Sequence, residues 1–397
     1  MREVATPFQL LDANQISGPA QYTNLRVNFI SNLDLSETTG GWSGVNVAIH
    51  AQLAEHFDLR FAGPINPSND YPAKLISKVQ RLNGRAGAFH FFSERRLNRI
   101  AKLVENAIDE DADCDFFHGQ TPWILYESQR PYFLYTDTCF STYIDVYHDR
   151  SRFRPDDLKR ICETEGRWLS RAARVFFGTR WGLERAATDY RIPRSNLSAV
   201  GAGGSMSPPP KDTYDAGMSF LFIALDFERK GGRICAEAFK TVYARFPEAR
   251  LTFVGAAPPA DLLALPGVSY IGLLRKSVPA ELARLESIYS QAFALVHPTS
   301  SDIQPLVISE AGYYGCPSIA ARSFGIPELV EDGVTGFLID PPLTAEAFAN
   351  RMLELCADKN RYFSMRKTVR VHATKNLTWQ AVGARIVDEM KATLRRQ

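Results

Sequence analysis

Short apolar runs alternate with helix-spaced apolar positions along most of the chain. Residues 25–30 form a strand-like run, a glycine-rich turn follows, and 45–57 carries helical spacing. The unit recurs, with strand-like runs at 115–118, 132–135 and 174–177 and helical spacing at 156–172 and 181–190. Short apolar strands separated by helices predict a parallel sheet covered on both faces. Pro208-Pro209-Pro210, following Gly203-Gly204-Ser205, interrupts the pattern, because consecutive prolines continue neither a helix nor a central strand. The alternation then restarts with strands expected at 220–224, 251–254, 268–271, 294–297, 318–321 and 336–339, and it ends on an amphipathic helix at 379–394. The expected organisation is a first domain at 1–204, a linker at 205–213, a second domain at 214–375, and a terminal segment at 376–397 that closes the second domain or crosses back to the first.

Composition narrows the classes. The 397 residues are 45% hydrophobic and 23% charged, ordinary globular values. A formal charge of +2 gives no global field for nucleic acid, so no nucleic-acid partner is expected. The six cysteines show no C-x-x-C spacing and read as reduced thiols. Neither a signal-peptide pattern nor an apolar run of about 18 residues is present, and the expected compartment is cytoplasmic.

Dinucleotide and P-loop chemistry are not supported: Gly201-Ala202-Gly203 lacks a glycine at Met206, and no Walker A sequence occurs. Two other segments carry chemistry. In 300–317, Asp302 follows an expected strand and Glu310 lies about a turn inside the helix that Pro305 opens. Carboxylates there suit the hydroxyls of a sugar or ribose, and free helix-start amides suit phosphate. The alternative is that Asp302 caps the helix and Glu310 is solvated. In 225–232, Arg229 and Lys230 precede Gly231-Gly232 at an expected strand-to-helix turn, which suits a diphosphate; a solvated charged turn is the alternative.

The run from Asp302 through Glu310-Ala311-Gly312 to Pro317, with Gly325-Ile326-Pro327-Glu328-Leu329-Val330 and Gly333-Val334-Thr335-Gly336 beyond it, resembles the donor-binding signature of glycosyltransferase family 4. The resemblance is good over 220–342 and fainter from Val27 to Gly203. It implies an α/β GT-B fold, two Rossmann-like doubly wound domains facing a central cleft. It further implies a retaining enzyme that moves a sugar from a nucleotide diphosphate sugar to a glycan or lipid-linked acceptor, with neither metal nor cofactor. Asp302 would then meet the donor sugar and Glu310 the ribose, with amides near Gln304, Pro305 and Leu306 facing sugar and diphosphate. Arg229 and Lys230 would stabilise the leaving diphosphate. Gly44, or alternatively Gly41, would stand in the family's glycine loop, His118 beside the transferred sugar, and Asp137 near the acceptor. The sequence departs from the family at Asp302, where glutamate is usual, at Leu225 in place of arginine, and at Pro305, which has no amide to donate.

Asp111-Ala112-Asp113-Cys114-Asp115 offers a D-x-D pattern for a hard cation, with a solvated acidic loop as the favoured reading. The segment 74–102 holds eight cations against the single acid Glu94, interrupted by Phe89, Phe91 and Phe92, which are expected to be exposed; weak attachment to an anionic membrane is expected, with a solvated basic helix pair as the alternative. An epimerase or hydrolase on the same fold, or a non-catalytic nucleotide-sugar binding protein, are the competing functions.

Overall fold

The computed structural model describes residues 25–36, 44–215 and 217–396. The first sheet contains β1 (Arg26–Ile30), β2 (Asp58–Ala62), β3 (Cys114–His118), β4 (Tyr132–Thr136), β5 (Arg174–Phe177) and β6 (Leu197–Ala199). Its helices are α1 (Val45–Ala54), α2 (Tyr71–Leu82), α3 (Glu94–Ala107), α4 (Phe140–Tyr147), α5 (Pro155–Arg171) and α6 (Arg180–Tyr190). The second sheet contains β7 (Ser219–Ala224), β8 (Arg250–Gly255), β9 (Val268–Gly272), β10 (Ala294–His297), β11 (Ser318–Ala321) and β12 (Gly336–Ile339). Around it lie α7 (Gly232–Arg245), α8 (Ala260–Leu263), α9 (Pro279–Gln291), α10 (Leu306–Tyr313), α11 (Ala345–Ala357), α12 (Lys359–Asn376) and α13 (Trp379–Leu394).

All described pairings within both sheets are parallel. The strand orders are β2-β1-β3-β4-β5-β6 and β12-β11-β10-β7-β8-β9. Strand order therefore reverses between β1 and β3 in the first sheet and between β7 and β10 in the second. In open α/β sheets, ligand crevices form at such switch points, outside the carboxyl ends of the strands.

The period of two decides which face each side chain covers. On one face of the first sheet Phe29, Phe116, Phe133 and Phe176 pack with residues of α1 and α13. On the other, Ile30, Phe117, Leu134, Val175 and Phe177 pack with residues of α3, α5 and α6. Thus α13 leaves the second domain and lies on the first, burying Val382, Ile386, Val387 and Met390 there. Burial of each such side chain contributes roughly 1.5–3 kcal/mol. The crossing needs Gly383, since a Cβ there would stand 2.4 Å from the Cβ of Gln52 on α1. The chain between the domains is also tied down: the Arg366 guanidinium holds both oxygens of Asp212 at 2.7 and 2.8 Å and lies 4.0 Å from the Tyr214 ring centroid.

Candidate functional site

At the switch point of the second sheet, the turn after β7 folds back on itself. Asp226 accepts a hydrogen bond from the Arg229 amide at 3.1 Å, and Gly231 adopts φ +80° before α7 begins. A Cβ at Gly231 would stand 2.1 Å from the Pro298 carbonyl oxygen, so glycine lets the β7 and β10 loops meet. That approach places Lys230 against Asp302: its Nζ donates to Asp302 Oδ2 at 2.5 Å and to the Ser301 carbonyl at 3.0 Å. His297 Nε2 lies 3.3 Å from the same carboxylate oxygen. Burial alone would lift the Asp302 pKa, but the His297 hydrogen bond and the Lys230 charge outweigh it and hold the group below the usual carboxylate range. Pro305, not Asp302, is the N-cap of α10, so the capping alternative for Asp302 does not hold.

Glu310 is fully buried rather than solvated. Its Oε1 accepts from Lys276 Nζ and from the Ser205 amide at 2.9 Å, and its Oε2 from the Tyr289 hydroxyl at 2.9 Å. The carboxylate thereby joins the domain connection to the core beneath the crevice. Leu225, where the family has arginine, is 78% exposed. Arg229, half-exposed, extends toward the first domain, its guanidinium 5.7 Å from the ring centroid of Tyr147.

At the first sheet's switch point, Gly44 is the N-cap of α1 with φ +81°; Gly41 lies outside the described residues. His118 ends β3, buried to 1% exposure, and burial lowers its pKa to about 3, so the imidazole is neutral at physiological pH. It lines a cavity of about 570 Å³ together with Asn32, Arg96, Gln120, Asp137 and Tyr143. Burial, with a smaller contribution from the charge of Asp302 across the cleft, pushes the Asp137 carboxyl up to about 6 against hydrogen bonds from the backbone. Behind this cavity Glu165, also fully buried, accepts from Thr121 Oγ1 at 2.5 Å, the Phe140 amide at 2.7 Å and the Tyr190 hydroxyl at 2.6 Å. These bonds fix the loops after β3 and β4. A larger hollow of about 1130 Å³, bordered by residues of α4, α5 and α6, contains none of the candidate residues.

Three contacts bring the two switch points face to face. The Ile303 amide donates to the Tyr147 hydroxyl at 3.4 Å, and Gln304 Nε2 donates to the Gly178 carbonyl at 2.8 Å. The Glu328 carboxylate accepts from the Arg180 and Trp181 amides at 2.7 and 2.8 Å, capping α6 of the opposite domain. The side chain of Gln304 is thus committed to the domain interface, and Leu306 packs against the first-domain core. Glu328 lies within a motif legible in the sequence, but its role is not, and Tyr147, Lys276, Tyr289 and His297 carry no local signal, because their parts depend on neighbours distant in the chain.

Two sequence expectations need correction. In the segment 74–102, Phe89 is buried and stacks on Phe92, both packing edge-on against Phe140; only Phe91 of the three is exposed. Arg96 is likewise buried, not a surface cation. As for the D-x-D stretch, it is not simply a solvated loop. Asp113 accepts from the Arg26 amide and Asp115 from Asn28 and Ser128, at the opposite end of the strands from His118.

Residues 218–358 match the family model described as "Glycosyl transferases group 1". The chain is 22% identical over 386 residues to a D-inositol 3-phosphate glycosyltransferase of Corynebacterium glutamicum, covering 88% of this chain and 91% of that one. It is 27% identical over 232 residues to a GDP-mannose-dependent alpha-(1-6)-phosphatidylinositol monomannoside mannosyltransferase of Mycolicibacterium smegmatis, covering 56% and 60%. Among solved structures, a sucrose-phosphate synthase from Thermosynechococcus elongatus superposes with TM-score 0.66 at 16% identity, over 94% of this chain and all of that one. With two parallel six-stranded domains and a group 1 match across the second, this chain is a glycosyltransferase with the GT-B fold whose second domain is similar to the glycosyl transferases of group 1.

Proposed function

We propose that the protein transfers a sugar, with retention of configuration, from a nucleotide diphosphate sugar held by the second domain to a hydroxyl of an acceptor in the first-domain cavity. The observation that carries this reading is the Lys230–Asp302 pair at one switch point, set across the cleft from Asp137 and His118 at the other. An arriving diphosphate would exchange with Asp302 for Lys230, freeing that carboxylate for the donor sugar, while Arg229 closes from the side of Tyr147. A ribose reaching Glu310 would displace Lys276. In the transfer the bond from the sugar C1 to the diphosphate oxygen breaks and a bond from C1 to the acceptor oxygen forms on the same face. The acceptor proton passes to the departing diphosphate oxygen, whose growing charge Lys230 and Arg229 stabilise. His118, neutral through this range, suits a hydrogen bond to the sugar rather than proton transfer. With fixed cations at the leaving group, the reaction is proposed to need no divalent metal and no cofactor. Incubation with a panel of nucleotide sugars and candidate acceptors, with product mass and anomeric configuration determined with and without EDTA, tests it. An inverted product, or activity abolished by EDTA and restored by manganese, would overturn the corresponding part. Free sugar or an isomerised nucleotide sugar as sole product would instead support the hydrolase or epimerase reading, and donor binding without turnover the binding-protein reading.

The surface of the first domain favours attachment to an anionic membrane. On α2 the apolar residues face outward: Tyr71, Leu75, Ile76, Val79 and Leu82 are all exposed, whereas Ser77 is buried. Tyr71, Leu75, Val79 and Leu82 recur at helical spacing, with exposed Lys74 and Lys78 alongside. An apolar stripe flanked by lysines matches the interface of an anionic bilayer, each nearby cation contributing about 1 kcal/mol. Among the described residues no helix is long and apolar enough to cross a membrane. Co-sedimentation with vesicles containing anionic lipid should weaken in high salt and be lost in Leu75→Asp/Val79→Asp. Protein remaining in the supernatant at low salt would rule the attachment out.

A further inference from the structure

We propose that the first-domain cavity takes an acceptor bearing a phosphate-class anion, seated on Arg96, with the reacting hydroxyl directed to Asp137; this rests on the reading of that cavity as the acceptor site. Arg96 lies in the first turn of α3 with only 7% exposure. Its Nε donates to the Pro67 carbonyl at 3.2 Å, one Nη to the Phe91 carbonyl at 2.8 Å, and the other to Asn66 Oδ1 at 2.8 Å. All three acceptors are neutral. A guanidinium has five N–H donors, so two are left after these bonds. Among the described residues, no carboxylate lies within ion-pair distance of Arg96. Asp70, the N-cap of α2, is committed to the Ala73 amide and the Ser93 hydroxyl.

Burying a cation without a counter-ion is costly, and a cation in the first turn of a helix also works against the helix dipole. Stability alone therefore does not account for an arginine here, whereas a ligand anion supplies the missing charge. The surroundings agree. The wall near Arg96 adds the neutral polar residues Ser68 and Asn69, while the carboxylate lining the cavity is Asp137. Burial first, then the fields of Arg81, Lys74 and Arg96, depress the pKa of neighbouring His90, which marks this side of the cavity as positive despite Asp70. A ligand spanning the cavity would meet a fixed fork of donors suited to phosphate at one end and a carboxylate suited to a hydroxyl at the other.

The test measures binding apart from transfer. Inorganic phosphate, a polyol monophosphate and the same polyol without phosphate are titrated calorimetrically into the full chain carrying Lys230→Ala, so that the donor clamp does not contribute. The phosphorylated ligands should bind and the free polyol should not. Arg96→Met should weaken phosphate binding by about tenfold or more. Because Arg96 also pins the 66–67 loop, Asn69→Asp serves as a second variant that adds a repelling charge to the wall while keeping the arginine; it should weaken binding similarly with an unchanged circular dichroism spectrum. Arg96-dependent binding of the soluble phosphates assigns a soluble acceptor. The same dependence seen only with phosphatidylglycerol vesicles, against phosphatidylcholine controls, assigns a lipid headgroup. Phosphate binding indifferent to both substitutions overturns the proposal, even where sugar transfer to an uncharged acceptor leaves the proposed function intact. Conversely, Arg96-dependent phosphate binding without any transfer retains the anion site and removes the proposed function.

Discussion

The crevice of the second domain and the cavity of the first differ in how they keep charge out of water. In the second, ionic groups are paired: Lys230 with Asp302, and Lys276 with Glu310. In the first, Asp137 and Arg96 stand at the cavity wall with no counter-ion within ion-pair distance among the described residues. The paired arrangement is complete without a ligand, and in the proposed function one partner exchanges for a phosphate. The unpaired groups carry a desolvation cost that a suitable ligand would relieve. The second-domain crevice thus holds its charges in ion pairs, and the first-domain cavity is a recess whose wall charges lack a partner of opposite sign among the described residues.

The comparison predicts its largest effect on stability at Glu310. Glu310 is the fully buried member of its pair, Lys276 keeping 23% of its side chain exposed, and removing one partner of a buried pair typically costs about 3–5 kcal/mol. Glu310→Ala should therefore shift the urea midpoint strongly, and a loss below about 1 kcal/mol would show that the pair is not structural. Lys230→Ala should behave in the opposite way. Its ion pair is partly exposed, so folding should change little, but transfer should fall about 100-fold or more, roughly 3 kcal/mol of transition-state stabilisation. Turnover close to that of the unsubstituted protein would remove Lys230 from the clamp.

For the unpaired side, the prediction is a pH profile. The Asp137 carboxyl is pushed up to about 6, and its ionised form is the one that accepts a hydrogen bond from the acceptor hydroxyl and orients it. Acceptor kcat/KM should therefore fall about tenfold from pH 7 to pH 5, and Asp137→Asn should abolish that limb. His118, at about 3, cannot supply it. Linkage gives a second sign. A carboxyl raised in the folded state contributes stability that is fully present below its unfolded pKa near 3.8 and is lost as pH rises through about 6. Asp137→Asn should then stabilise the fold above pH 6, and thermal melts at pH 5 and 8 check it. The smallest effect concerns the contact joining the two sides. Glu328→Ala removes two charge-assisted bonds at the domain interface and should raise donor and acceptor KM together by up to about tenfold. A change in only one KM would mean that Glu328 serves one site rather than the facing of the two.

Much of the fold was legible because central parallel strands are buried on both faces and read as apolar runs. The strands at 174–177, 294–297, 318–321 and 336–339 coincide with β5, β10, β11 and β12. β2 and β6 escaped notice because each is short, lies at a sheet edge and is only partly buried, so neither leaves an uninterrupted apolar signature. The loops that carry Lys230 and Asp302 were legible for a related reason: Gly231-Gly232 and Pro305 mark turns through backbone constraints that are local. The basic segment was harder to read. Arg95 and Arg96 are adjacent and chemically alike, yet Arg95 is exposed on α3 and Arg96 buried behind the cavity. Phe89, Phe91 and Phe92 likewise divide between core and surface according to what α4 brings to them.

The sequence by itself determined two parallel α/β domains, the order of their buried central strands, and the glycine and proline turns that carry Lys230 and Asp302, because apolar period and backbone restriction act over a few residues. Only the tertiary structure decided that Lys230 meets Asp302, that Glu310 is sealed against Lys276 and Tyr289, that α13 returns to the first sheet, and that Glu328 caps a helix of the other domain. Each of these depends on groups separated by tens to hundreds of residues, and their burial and charge are set by that proximity rather than by residue type.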